Sequence, residues 1–217
     1  MNTKTYVLCL VLITNIFVIY SQEEKMLIGI QFAPSITSTR VNPSLGERES
    51  LLVISPGLTF DYNITENLTL NSGLIFDRKG SKFSIINDDF IEFEGSLEGE
   101  TRMDYLTLPL MVTYSTKGRM RFYFGGGTFV GFLLKNNVTY GAYGDRPGES
   151  VDYWFTRKID FGLSFITGLN IPINDRLNFD IALRDFLGLI DYVDANSFES
   201  SHKTNSLSLV LGLKHRL

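Results

Sequence analysis

The residues that could form a catalytic site lie close together near the end of the chain. They are a histidine, two serines and three acids: Ser200, Ser201, His202, Asp191, Asp194 and Glu199. Hydrolases with a nucleophilic serine combine these residue types. Closeness in sequence does not create triad geometry, however, and the chain has no Gly-x-Ser-x-Gly turn to present a nucleophile. An esterase is therefore one hypothesis, but we expect no catalytic residue.

Glycines cluster at Gly125, Gly126, Gly127 and Gly131, where a phosphate-binding loop could be suspected. The spacing matches neither the dinucleotide fingerprint nor the P-loop, whose Lys-Ser/Thr pair is missing. A narrow interior or a kink in a sheet explains these glycines better. The only cysteine, Cys9, lies in an apolar N-terminal run. We therefore expect no cofactor and no metal site.

Charged residues recur on the polar side of alternating segments. They are Asp61, Asp77, Asp104, Arg121, Asp160, Asp180, Arg184 and Lys214. If this side forms an interior, the charges must be paired, which predicts internal salt bridges rather than an ion path or a proton relay. We expect a network of Arg184, Asp160, Asp180 and Arg121. Within it, Asp160 or Asp180 would neutralise Arg184.

The segments that carry these residues alternate apolar and polar residues with a period of two. Leu207, Leu209 and Leu211, for example, alternate with Ser208 and Val210. This period is typical of β-strands. We predict eight strands, at roughly 26–34, 51–63, 67–79, 102–115, 119–134, 157–173, 176–190 and 204–217. Their length suits tilted membrane strands, which need ~9–11 residues.

The predicted connections alternate between short and long. Three are short turns, and four are long, at 35–50, 80–101, 135–156 and 191–203. Outer-membrane barrels have short periplasmic turns and longer outer loops. The fold class is therefore all-β, an eight-stranded antiparallel transmembrane barrel. A soluble barrel such as a lipocalin also alternates, but its outer face carries charge, whereas here the charge-free apolar face is dense in Leu, Ile and Phe.

Aromatic residues near the strand ends favour the membrane interpretation. Tyr62 and Tyr114 close two strands beside short turns, and Trp154 leads into another strand from a long connection. Amphipathic rings prefer the headgroup zone, so we expect these three residues to lie at the membrane interfaces. Ordinary packing in a soluble sheet is the alternative.

The N-terminus indicates export. Lys4 precedes an apolar run from Tyr6 to Tyr20, and Ser21 offers a small residue for cleavage. This layout predicts a signal peptide over 1–21 and a barrel domain over 22–217. The whole chain has 20 basic and 24 acidic residues, and removal of Lys4 leaves a net charge of −5. This acidic balance excludes general nucleic-acid binding.

Two stretches resemble a known family. Residues 105–114, YLTLPLMVTY, and 121–134, RFYFGGGTFVGFLL, look like the fourth and fifth strands of PorT-like outer-membrane barrels of Bacteroidetes. Residues 160–173, followed by 177–189, look like the sixth and seventh. The resemblance spans most of the predicted mature chain and implies a barrel in the outer membrane. It implies no catalytic activity, although one family member serves type IX secretion.

The predicted function is that of a small, non-enzymatic outer-membrane barrel. Its outer loops would give it a structural or surface-interaction role. An accessory role in a type IX-like secretion system is the alternative, and an outer-leaflet lipid-modifying enzyme is a less favoured one. Expected partners are outer-membrane lipids, lipopolysaccharide, the outer-membrane insertion machinery and secretion components.

Overall fold

A computed structural model describes residues 25–42, 47–86, 96–141, 148–152, 156–193 and 201–217. The predicted signal peptide and Trp154 lie outside these residues. The strands are β1 Met26–Phe32, β2 Pro34–Asn42, β3 Glu47–Ile54, β4 Gly57–Asn63, β5 Leu68–Ile86, β6 Ser96–Ser115, β7 Arg121–Tyr140, β8 Glu149–Asp152, β9 Ile159–Pro172, β10 Leu177–Gly188 and β11 Ser201–Arg216. Within the described ranges, no helix has the length and apolar character needed to span a bilayer.

The strands form a closed antiparallel barrel with eight sides. We call each side a wall, which is either one strand or two strands that continue each other. β1 continues into β2 and β3 into β4, so each pair forms one wall. The other walls are β5, β6, β7, β9, β10 and β11. The last strand, β11, closes the ring by pairing with β1 through Leu27↔Arg216 and with β2 through Ser35↔Ser208. The prediction of an eight-stranded antiparallel barrel is confirmed.

Two of the walls are interrupted at neighbouring points. Ala33 separates β1 from β2, and Ser55 and Pro56 separate β3 from β4. Proline has no backbone N–H and therefore breaks a ladder of hydrogen bonds. The Ser55 amide donates to the Ala33 carbonyl over 2.8 Å, and the Phe76 amide donates to the Pro56 carbonyl over 2.9 Å. The walls consequently stay connected across the break.

Three short turns join walls at one end of the barrel, as predicted, at 64–67, 116–120 and 173–176. The Asn174 side-chain oxygen accepts hydrogen bonds from the amides of Arg176 and Leu177, which closes the last of them. Gly118 has a φ of 127°, in the region that favours glycine over residues with a Cβ. By the general rule for outer-membrane barrels, this end faces the periplasm.

The walls extend further at the opposite end than the sequence indicated. The predicted loops contain almost all of β2, the start of β3, the upper parts of β5, β6 and β7, the short strand β8 and the start of β11. Beyond the membrane both faces of a strand meet polar surroundings. Strand pairing therefore continues there, but the alternation of apolar and polar residues that identifies a strand is lost.

The barrel has apolar residues outside and polar residues inside. Outward side chains such as Leu52 and Ile30 are 74% and 61% exposed, whereas inward Thr37 and Ser164 are completely buried. Outward Leu207, Leu209, Leu211 and Leu213 form an unbroken lipid-facing row on β11. A surface like this would aggregate in water, and a lipid environment stabilises it.

The orientation can be tested by single-cysteine labelling, since Cys9 is the only cysteine. With Cys9 replaced, Glu98→Cys and Glu149→Cys should react with a membrane-impermeant maleimide on intact cells. Thr65→Cys and Lys117→Cys, on the short turns, should react only after the outer membrane is permeabilised. Labelling of the turn positions on intact cells, with protection of Glu98→Cys, would reverse the assigned orientation.

Candidate functional site

The first cluster of charges in the lumen surrounds Lys79 of β5. Its Nζ atom lies 2.8 Å from the Asp160 carboxylate of β9 and 3.5 Å from that of Asp77. The three side chains are at most 1% exposed. The Thr204 hydroxyl donates to Asp160 over 2.8 Å, and the Ser55 hydroxyl donates to Asp77 over 3.3 Å. We name Lys79, Asp77 and Asp160 the upper cluster. This cluster bridges the lumen.

Aromatic rings surround the upper cluster. Lys79 Nζ lies 4.2 Å from the centre of the Phe129 ring, 5.5 Å from that of Tyr105 and 5.8 Å from that of Phe186. Phe129 and Phe186 also contact each other, with ring centroids 4.9 Å apart. A cation over an aromatic face is attracted to the ring quadrupole, most strongly where water is excluded. These rings fill the lumen and add to the stabilisation of the ammonium group.

The second cluster lies nearer the periplasmic end. Lys214 of β11 contacts Asp61 of β4 at 2.7 Å and Asp180 of β10 at 3.2 Å. The Tyr123 hydroxyl donates to Asp180 over 2.6 Å, and the Asn71 amide donates to Asp61 over 2.8 Å. We name Lys214, Asp61 and Asp180 the lower cluster. This cluster joins the last strand to two other walls.

Arg184 lies between the two clusters and pairs differently from the prediction. It is 3% exposed, and its Nη1 donates to the Gln31 side-chain oxygen over 3.0 Å. Its guanidinium also lies 4.7 Å from the centre of the Phe186 ring. Among the described residues, no carboxylate forms a salt bridge with Arg184, because Asp160 and Asp180 bind Lys79 and Lys214 instead. A cavity of about 30 Å³ beside it has room for buried water.

Two other charged residues that were assigned to the interior lie elsewhere. Arg121 is exposed at the periplasmic mouth, where it lines an opening below the lower cluster. Asp104 lies on the outward face of β6 and accepts a hydrogen bond of 2.6 Å from Arg78. Its neighbours Met103 and Tyr105 are both fully buried, so regular alternation along β6 turns Asp104 outward. Of the four network residues, the structure places Asp160, Asp180 and Arg184 deep in the lumen.

Sequence reasoning missed Lys79, the residue at the centre of the upper cluster. Lys79 is two residues from Asp77 on the same strand, so the two side chains share a face. That spacing was the available signal. It was missed because Lys79 is the last residue of the predicted strand, where a charge is easily assigned to the following loop.

The predicted interfacial tyrosines lie at the periplasmic ends of their strands. Tyr62 pairs with Met26, and Tyr114 pairs with Leu68 and Phe124, next to the short turns. Tyr114 is 50% exposed on the outward face, and its ring centroid lies 6.1 Å from that of Phe124. Interfacial location of both tyrosines remains a prediction.

At the outer end, hydrogen bonds to Asp191 hold the serine–histidine segment in place. The Asp191 carboxylate accepts hydrogen bonds from the Ser201 hydroxyl, over 2.9 Å, and from the backbone amide of His202, over 2.6 Å. Burial opposes ionisation, but these bonds together with two nearby cations outweigh it and lower the pKa of Asp191. The imidazole packs edge-on against Tyr192, with ring centroids 5.7 Å apart. Burial and Arg48 lower the pKa of His202, which favours the neutral imidazole.

Glycines at the centre of β7 allow close contact between walls. A Cβ atom on Gly127 would lie 2.0 Å from the Leu110 carbonyl oxygen, and one on Gly125 would lie 2.1 Å from the Val112 oxygen. These glycines therefore serve wall packing and not phosphate binding. Across the described ranges, no group of three or more His, Cys, Asp or Glu residues is arranged to hold a metal ion.

Several solved barrels have a similar architecture. Neisserial surface protein A shares 14% identity, with 88% of this chain and 97% of that chain covered and a TM-score of 0.46. The attachment invasion locus protein Ail of Yersinia pestis shares 12%, covering 90% and 100%, with a TM-score of 0.45. OprG from Pseudomonas aeruginosa shares 13%, covering 89% and 95%, with a TM-score of 0.45.

Comparison with curated protein sequences gave no match. The profile of one family, described as outer membrane protein beta-barrel domain, matches residues 20–193, well over half of the chain. That match agrees with the closed ring, the apolar outer face and the charged lumen. The chain therefore belongs to the outer membrane protein beta-barrel domain family and is a protein of the outer membrane.

Proposed function

We propose that the protein is a non-enzymatic barrel with a closed lumen that acts through its outer end, in a structural or surface-interaction role. The observation that carries this proposal is the upper cluster, in which Lys79, Asp77 and Asp160 meet across the lumen among bulky rings. Phe129, Phe186 and Tyr105 are at most 1% exposed there. Eight strands enclose space for side chains only, whereas open channels need ~16–18.

The tall side of the barrel supports the surface role. β5 has 19 residues, and β6 and β7 have 20 each, which is about twice what a membrane strand needs. Their outer parts carry outward charges, among them Lys82, Arg102 and Lys135. This sheet extends past the apolar band and offers a polar surface, on which we place contacts with other surface components.

Cations just beyond the apolar band support outer-leaflet lipids as partners. On β2 and β11, the outward pair Ile36↔Leu207 is followed by Ser38↔Asn205 and then by Arg40↔Lys203. Two like charges directly opposite each other are unfavourable in a sheet. Arg40 also donates to the Gly188 carbonyl over 2.7 Å. An anionic phosphate of lipopolysaccharide beside this pair would relieve the repulsion.

A finer assignment rests on the family resemblance alone. The strand motifs of β6, β7, β9 and β10 support a PorT-like barrel, and with it the alternative of an accessory in type IX-like secretion. Export by a cleaved signal and contact with the insertion machinery belong to the same hypothesis. Affinity purification from native outer membranes tests it, because secretion components should then co-purify with the tagged barrel.

The closed lumen predicts a stability effect for Lys79→Met. The change would leave two buried carboxylates without their cation, and breaking a buried pair costs ~3–5 kcal/mol. The folded band of this variant on unboiled gels should convert to the unfolded band at a clearly lower temperature than wild type. Lys79→Met combined with Asp160→Asn should recover part of the loss.

The matched control is Lys82→Met, since Lys82 lies three residues further along β5 and is exposed. Surface substitutions usually change stability by less than ~0.5 kcal/mol, so its conversion temperature should stay near wild type. Equal conversion temperatures for Lys79→Met and Lys82→Met would show that the upper cluster does not stabilise the barrel.

A second measurement addresses the lumen directly. Purified protein inserted into a planar bilayer should give no stable, stepwise openings, because paired charges and aromatic rings fill the path. Reproducible single-channel steps from wild-type protein, abolished by a bulky residue such as Gly131→Phe in the lumen, would contradict the closed barrel.

The enzyme alternative is tested at His202. If Asp191, Ser201 and His202 only order the outer end, His202→Ala should fold normally and change no lipid hydrolysis or acyl transfer measured on outer-membrane lipids. An activity present in wild type and lost in both His202→Ala and Ser201→Ala, with both variants folded, would replace the non-enzymatic proposal.

A further inference from the structure

The periplasmic end of the lumen opens into a polar cavity of about 240 Å³, here called the vestibule. Its lining includes Arg119, Arg121, Lys214, Arg216, Asp61 and Asp180. Four basic residues against two acidic ones give a net charge of +2. Lys214 binds both carboxylates and offsets one of their two negative charges, so the excess positive charge comes from Arg119, Arg121 and Arg216. Arg119 and Arg121 carry positive charge at the opening.

Two arginines at the rim are available for a ligand. Arg119 and Arg121 are exposed, and neither forms an ion pair or side-chain hydrogen bond with any residue in the described ranges. Arg121 sits directly opposite Asn170 on β9, which in turn sits opposite Asp180 on β10. Guanidinium groups present several donors in a plane and bind phosphate in a bidentate manner.

A buried amide points to the same site independently. Asn178 of β10 is only 5% exposed and lines the vestibule. Within the part of the chain that the structure describes, its side chain makes no hydrogen bond. The amide atoms keep contact with the cavity, so a ligand in the vestibule can bond to them. Asn178 lies opposite Lys214 on the neighbouring strand β11, so its amide and this cation lie side by side.

We propose that the vestibule binds a phosphate group from the periplasmic side. A phosphate dianion matches the net charge of +2, and its oxygens accept from the two guanidinium groups and from the Asn178 amide. The cavity is smaller than the ~300–1,000 Å³ of sites for drug-sized ligands, so it suits inorganic phosphate, a small phosphomonoester or a lipid headgroup. This site is separate from the outer surface assigned above and does not depend on it.

The test is calorimetric titration of the full barrel with inorganic phosphate, in an uncharged maltoside detergent and a phosphate-free buffer. Wild type should bind, and Arg119→Gln/Arg121→Gln should bind at least about tenfold more weakly, since each charge-assisted hydrogen bond contributes roughly that factor. Asn178→Ala should weaken binding as well. Arg176→Gln is the matched control, because Arg176 lies on a turn at the same end but does not line the vestibule.

The membrane environment distinguishes the two sources of phosphate. In phosphatidylglycerol vesicles, unchanged binding of inorganic phosphate assigns the site to a soluble anion, and lost binding assigns it to a lipid headgroup. Unboiled gels show whether the rim variants fold. No binding by folded wild type at millimolar phosphate in detergent would overturn the proposal, as would equal binding by wild type and Arg119→Gln/Arg121→Gln.

Discussion

Backbone amides and carbonyls inside a bilayer have no water to bind, so they must find their partners within the protein. In this barrel the requirement is met by one closure, the pairing of β11 with β1 and β2. An open sheet would leave the edges of β1 and β11 unpaired in lipid. The remaining features follow from closing a ring of eight strands, because such a ring has a narrow interior and an outer face that only lipid can cover.

The narrow interior explains why the charges occur in clusters. Each of Lys79 and Lys214 meets one carboxylate on its own or the paired strand and one on a wall that is not its paired neighbour, so each cluster joins distant walls. Shifting the register of β5 by one residue would turn Lys79 outward into lipid, since successive side chains point to opposite faces. The clusters therefore specify which residues of each wall lie side by side.

The sequence was most informative where one face meets lipid and the other meets the lumen. There, the period of two located eight walls and predicted the inward positions of Asp160, Asp180 and Arg184. It could not reveal which cation reaches which carboxylate, because that depends on the stagger of the walls around the ring. Arg184 consequently lies beside Gln31, and Lys79 occupies the place expected for an arginine. The outer strand ends were missed because two polar faces give no alternation.

The buried clusters also bear on how the barrel forms. Lys79 and Asp160 are 81 residues apart, and Lys214 lies on the last strand to be made, whereas its partner Asp61 lies on an early one. Until β11 joins β1, the carboxylate of Asp61 has no cation, and the edge strands have no hydrogen-bond partners. Two effects therefore destabilise partly assembled sheets: unpaired charges and unpaired backbone hydrogen-bonding groups. Completion of the ring removes both penalties together, which makes assembly cooperative and leaves half-built barrels sparsely populated.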